Sequence, residues 1–446
     1  MLHLLKIENF YSILEPQCVD LRVAANVPDT PGRFAPLWEG SKERAPKVVA
    51  IFGPNASGKS TVLRALSFIA WFVRDSFSLQ PDAPLPFERF NNCVGRSQLA
   101  RLSLSLAGLV DPTDASEGAP QCRYSYELEL GGPSGQPATV QREALYYWPP
   151  PAQRKVRLFE RDGEGQVTAG SAFALSGFRQ ALDKILRPNA SVISTLAQLK
   201  HPFATSIWEA AQTVFSNILI ERSDALEEQV VRVYAANPHL VEALNHEIER
   251  IDLGIRAMRV EQGVNGPIAL FTHEGHDGPM PLVLESQGTR LFLRLYPVLL
   301  RALETGGIAI VDELDTAIHP LILPEILRWF HDPKRNPHHA QLWMTCHNAS
   351  LLEELVKEEV LFTEKGPDGR SEIFALGDVD HLLGDDAGAR IVQLGDRSSG
   401  HAAERLMGER EMLDGPVRRY IAVVFGPDGA TRIGFCVAAL GNPVFA

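Results

Sequence analysis

Gly53, Gly58, Lys59 and Ser60, in the stretch "VVAIFGPNASGKSTVLRAL", fit the spacing G-x-x-x-x-G-K-[ST] between an apolar run and a helical pattern. A phosphate chain needs several N–H donors converging at close range, and a glycine-permissive turn running into a helix N-terminus supplies them. In such a loop Lys59 neutralises the β and γ phosphates, and Ser60 offers a hydroxyl to Mg²⁺, a hard cation that takes oxygen ligands. Gly53, Pro54, Asn55, Ala56, Ser57, Gly58, Lys59, Ser60 and Thr61 are therefore the expected nucleotide-binding residues. A glycine-rich turn that merely contained a lysine would require neither the strand before it nor the helix after it.

A phosphate loop alone indicates a nucleotide, not its hydrolysis. In "GGIAIVDELDTAIHP" the apolar run Ile308 to Val311 ends in Asp312 and Glu313. A carboxylate at such a strand end can hold Mg²⁺ and its neighbour can deprotonate an attacking water, so Asp312 is the expected metal residue with Ser60, and Glu313 the expected base. Acidic residues at a strand end are otherwise simply solvated, and it is the pairing with the loop that favours catalysis. In "LVLESQGTRLFLRL", Ser286 and Gly288 open a helix, where hydroxyl, amide and dipole together could bind phosphate; an ordinary N-cap explains the serine equally well. His347, in "QLWMTCHNASLL", follows a strand and could sense the γ-phosphate or steady the water, although a lone histidine there is also commonly structural. "HEGHDG", with His273 and His276, reads as a turn, because structural zinc needs four well-spaced ligands.

These residues need a scaffold that brings strand ends together, and the hydrophobic pattern predicts an α/β one. "LHLLKIENF" and "QCVDLRV" read as strands, and "KVVAIF" as a buried parallel strand. From Leu99 to about Arg161 alternation predicts an antiparallel meander. From Ala172 to about Ile251 the spacing is helical, with Pro238 as a helix-start residue. Strand and helix alternate after Ile255. The predicted division is 1–171 and 255–376 as the two parts of a head, 172–254 as a helical insertion, and 377–446 as a segment without an assigned role. In that last segment Asp378 and Asp380 stand in D-x-D spacing, read as coincidence, and a terminal hairpin is expected to turn at Gly426 to Gly429.

A chain of 446 residues suits two or three cooperating units. No apolar run reaches the roughly 18 residues of a spanning helix and no secretion signal opens the chain, so the expectation is a cytoplasmic protein without a membrane partner. The five scattered cysteines lack C-x-x-C spacing and are expected to be reduced. A net charge of −12 speaks against nucleic-acid binding over the whole surface, while leaving room for a local basic face.

The order of motifs, "GPNASGKST", "ESQGTRLF", "IVDELDTAIHP" and "TCHNASLL", resembles the ABC-type ATPases of the RecF, SMC and OLD group, and most of all the stand-alone AAA-type ATP-binding proteins of bacterial phage-defence systems. "NFYSI", "YSYELEL" and "GIRAMRV" fit the same pattern, so the resemblance spans residues 1 to about 375. It implies a P-loop NTPase head of the ABC type with an antiparallel β meander and a helical insertion, and Mg²⁺-dependent hydrolysis of ATP to ADP and phosphate. It further implies a head-to-tail dimer that sandwiches two ATPs, with Ser286 and Gly288 acting in trans. Asn55 matches the Asn of "GPN" in this group, His347 the switch histidine, and His319 stands where transporter-type members carry Asp. A separate effector, nuclease or toxin, is the implied partner. The alternative is a RecF-like repair or maintenance ATPase whose head dimer clamps DNA.

Overall fold

The computed structural model describes residues 1–376, apart from 29, 115, 117, 134–135, 219–225, 252–253, 265 and 318–321, together with the backbone of three strands between 389 and 439. Its architecture follows from one uninterrupted apolar run. Val48–Phe52 is buried at every residue, as a strand covered on both faces must be. Val49 and Ile51 join a core with the helix Lys59–Asp75, while Val48, Ala50 and Phe52 join a second core on the other face.

Val48–Phe52 lies inside a six-stranded sheet, ordered Val214–Ser216, Ile308–Val311, Gln341–Thr345, Val48–Phe52, Val360–Lys365 and Ser371–Ala375. All neighbours run parallel except the last pair. A seven-stranded antiparallel sheet covers the helix Lys59–Asp75 from the other side. It contains the expected meander, Ala100–Leu109, Gln121–Gly131, Thr139–Tyr147 and Val156–Arg161. The N-terminal pair Leu2–Glu8 and Gln17–Asp20 extends it beside Ala100–Leu109. The Gln341 side chain accepts from the Leu2 N–H at 2.8 Å and donates to the Leu2 carbonyl at 3.0 Å, joining the two sheets. The helix they enclose is buried along most of its length, which explains why "LSFIAWFV" carries no charge.

The segment 172–254 is mostly helical, yet it is built into the head. Helices Val192–Gln198 and Pro202–Gln212 share the core of the helix Lys59–Asp75, and Val214–Ser216 becomes the edge strand of the parallel sheet. Helices Leu226–Ala236 and Pro238–Ile251 enter the second core, beside the antiparallel pair Ile255–Gly263 and Gly266–His273. A three-residue strand is too short for periodicity to separate from the helices around it.

Helix Gln287–Thr305 contains Pro297, whose missing N–H leaves the Leu293 carbonyl without its usual donor. The buried Tyr234 hydroxyl donates to that oxygen at 3.0 Å, so the helix continues. Strands Ala389–Gln393, Val417–Phe425 and Thr431–Ala439 form an antiparallel sheet. His319, Asp378, Asp380 and the turn at Gly426 to Gly429 lie outside the described residues. Among the described residues no helix is long and apolar enough to cross a membrane.

Candidate functional site

Three adjacent parallel strands deliver the expected residues to one end of the sheet. Val48–Phe52 leads into the loop, Ile308–Val311 into Asp312 and Glu313, and Gln341–Thr345 into His347. Ligands of open α/β sheets bind outside such carboxyl ends. Here Asn55 through Thr61, Glu313 and His347 line one cleft of about 700 Å³, which Tyr11, Ser12 and Lys365 also border.

The loop has the shape that its glycines permit. Gly53 has φ of 153° and Gly58 a φ of 105°, and a Cβ on Gly53 would run into the Thr363 carbonyl oxygen. Ser57 Oγ lies 2.6 Å from Thr363 Oγ1. The Thr61 hydroxyl lies 3.0 Å from Ser12 Oγ, which accepts from Ser371 Oγ at 2.8 Å, so a distant turn and the start of a distant strand brace the first turn of the helix after the loop. Lys59 is buried, and its Nζ donates to the carbonyls of Gly53 at 2.8 Å and Pro54 at 3.0 Å. Burial lowers its pKa, while Asp312, Asp315 and Glu313 pull in the opposite direction.

Beside the loop, Ser60 Oγ donates to Asp312 Oδ1 at 3.0 Å, and Thr345 Oγ1 donates to the same oxygen at 2.6 Å. The Glu313 N–H donates to Thr345 Oγ1 at 2.7 Å, fixing a backbone at φ of 53° and leaving the carboxylate exposed. A serine hydroxyl next to a carboxylate forms an oxygen donor set that fits Mg²⁺. Asp315 Oδ2 accepts from the N–H groups of His347 and Asn348, both at 2.7 Å, and so latches the exposed His347 beside the acidic strand.

Ser286 and Gly288 do not line this cleft. Within one chain Ser286 caps the helix Gln287–Thr305: its Oγ accepts from the Thr289 N–H at 3.1 Å and lies 2.9 Å from Thr289 Oγ1. The residue is exposed, as are Val283 and Leu284 just before it, while buried Glu285 meets His273 Nε2 at 2.7 Å.

Sequence reasoning missed Thr345, Asp315 and Ser12. Thr345 had a signal, a hydroxyl closing an otherwise apolar strand end, and Asp315 stands two residues after Glu313 in "DELD". Ser12 stands in "NFYSI", which fits the family pattern without marking the serine, and its role comes from a pairing across the fold.

Residues 48–353 match the sequence family described as "AAA domain, putative AbiEii toxin, Type IV TA system". Among solved structures, an SMC head domain from Thermotoga maritima aligns at 16% identity over 84% of this chain and 98% of its own, with a TM-score of 0.38. An SMC head bound to the C-winged helix domain of ScpA aligns at 10% identity, 85% and 99% coverage and a TM-score of 0.43. One with an extended coiled coil, bound to the C-terminal domain of ScpA derived from Pyrococcus furiosus, gives 11%, 86%, 98% and 0.39. No curated protein matches the chain.

Proposed function

The chain belongs to this AAA domain family, and from that premise we propose that it is a Mg²⁺-dependent ATPase whose nucleotide-driven dimerisation gates a separate effector, a nuclease or toxin, in defence against phage. The observation that carries the reading is the Ser60 hydroxyl against the Asp312 carboxylate at 3.0 Å, beside a buried lysine in a glycine-permissive loop. Ser60 and Asp312 would hold Mg²⁺, which supplies charge neutralisation at the β and γ phosphates. The loop N–H groups bind phosphate oxygens, and Lys59 exchanges the carbonyls of Gly53 and Pro54 for the terminal phosphates. Glu313, exposed on the cleft, takes the proton of the attacking water. Asp315 holds His347 where it orients that water.

The pair of exposed Ser286 and half-buried Gly288, outside the cleft, is suited to completing the site of a second copy in trans, as in a head-to-tail dimer. The family description names a "putative AbiEii toxin" of a toxin–antitoxin system, which links the domain to a toxic activity and names no separate partner. The DNA-clamping alternative gains nothing from the solvent face of the seven-stranded sheet. There Arg101 lies between Glu8 and Glu129, Arg142 between Glu127 and Glu160, and Lys155 and Arg157 pair with Glu127 and Glu160, so among the described residues these cations are matched by carboxylates.

The test is ATP turnover with Mg²⁺ and with a chelator, together with the mass in solution of Glu313→Gln with ATP. Turnover only with Mg²⁺, and a dimer formed only with ATP, are expected. An inert unsubstituted chain, or a variant that stays monomeric with ATP bound, would overturn the reading.

A further inference from the structure

Asp312 and Glu313 close a strand whose outer neighbour is the edge strand Val214–Ser216. The backbone ladder between them runs on for one more bond, from the Asn217 N–H to the Ile310 carbonyl at 3.1 Å. Beyond it a side chain takes over. Asn217 Oδ1 accepts from the Asp312 N–H at 2.8 Å, and Asn217 Nδ2 donates to the Asp312 carbonyl at 3.1 Å. One amide thus supplies both the acceptor and the donor that a further strand residue would have offered. From the opposite side Thr345 Oγ1 engages the Asp312 carboxylate and the Glu313 N–H. The acidic turn is therefore gripped from both neighbouring strands, and the left-handed backbone of Glu313 persists only where its surroundings over-determine it.

The edge strand also touches the helix that follows the phosphate loop. Ser216 Oγ lies 3.0 Å from Ser67 Oγ on the helix that starts at Lys59. It follows Pro202–Gln212, which packs on that helix, and belongs to the segment 172–254.

We propose that Asn217 is a positioning residue that fixes the Asp312–Glu313 backbone beside the phosphate loop, so that the residue following the edge strand Val214–Ser216 sets the rate of hydrolysis. The inference rests on the ATPase reading above. A displacement of about 1 Å at a catalytic group costs about 10²-fold in rate, whereas Asn217 is not among the residues lining the cleft and so should affect metal-free nucleotide binding little.

The experiment uses the full chain with Asn217→Leu, which keeps bulk and removes both hydrogen bonds, and Asn217→Ala as a second variant. Amide hydrogen exchange at Asp312, kcat, the Mg²⁺ concentration for half-maximal turnover, and the Kd of a fluorescent ATP analogue in chelator are measured. Expected are exchange at Asp312 faster by about 10-fold, kcat lower by about 10- to 100-fold, a raised Mg²⁺ requirement, and a chelator Kd within about twofold of the parent. Parental exchange and kcat in both variants would overturn the proposal. So would a chelator Kd and Tm that collapse together with kcat, the mark of a merely structural residue. Absent turnover in the unsubstituted chain sinks the ATPase reading separately, because exchange at Asp312 reads the clamp without hydrolysis.

Discussion

Two helices begin at sites that the sequence singled out, and their N-termini differ in how complete they are. The helix starting at Lys59 emerges from a loop braced by Thr363 and has its first turn braced by Ser12 and Ser371, with Lys59 and Ser60 already engaged by carbonyls and by Asp312. The helix starting at Gln287 has one serine bonded within its own first turn, behind two exposed apolar residues. Burial and satisfied polar groups mark the first as finished within the chain. The second satisfies its cap and leaves its surroundings open, as a surface that meets something else would.

The comparison breaks most severely at the finished end. Glu313→Gln keeps the shape and removes the base, so kcat should fall by about 10² to 10⁴ while ATP binding survives; parental turnover would move the base elsewhere. Lys59→Ala should abolish binding of an ATP analogue, since the loop loses the charge that meets the terminal phosphates, and undiminished binding would remove the loop from the site.

At the open end, Ser286→Arg should leave binding to monomers within about twofold and lower hydrolysis by about 10²-fold, the loss expected for one transition-state donor. Titrating it with Lys59→Ala should restore activity, because a mixed dimer holds one intact loop facing one intact Ser286. Full activity of Ser286→Arg by itself would make the serine an ordinary cap and erase the contrast.

A milder change sharpens the difference. Asp315→Ala frees the loop bearing His347 and should lower kcat by about 10-fold, within the contribution of one positioned group, with Kd for ATP unchanged; an equal loss in Kd would place Asp315 in binding. The smallest effect belongs to Tyr234→Phe, which orphans the Leu293 carbonyl behind the open helix. Chemical denaturation should show a loss of about 1 to 3 kcal/mol with parental kcat; a fall in kcat without loss of stability would tie the body of that helix to the chemistry.

Local chemistry was legible and pairing was not. The phosphate loop and acidic strand announce themselves because each packs its requirement into consecutive residues, and the meander through strict alternation. The edge strand Val214–Ser216 stayed hidden because three residues carry no period, and the joining of Leu2–Glu8 to the meander because strand partnership is set by the whole fold. Asn217 was hidden for the same reason, since its partner Asp312 lies 95 residues further along. Ser286 was undecided in the sequence, and within one chain it remains a cap because its proposed ligand belongs to another copy.

Gln341, which closes on the backbone of Leu2, is made 339 residues after it. At about 5–20 residues per second of synthesis, that gap is on the order of half a minute on the ribosome. Through that interval Val48–Phe52, apolar on both faces, has neither of its sheet neighbours, since Gln341–Thr345 and Val360–Lys365 both follow. The nascent chain therefore carries this doubly apolar strand early and its two partners late, so its exposed edges await residues made near the end of synthesis.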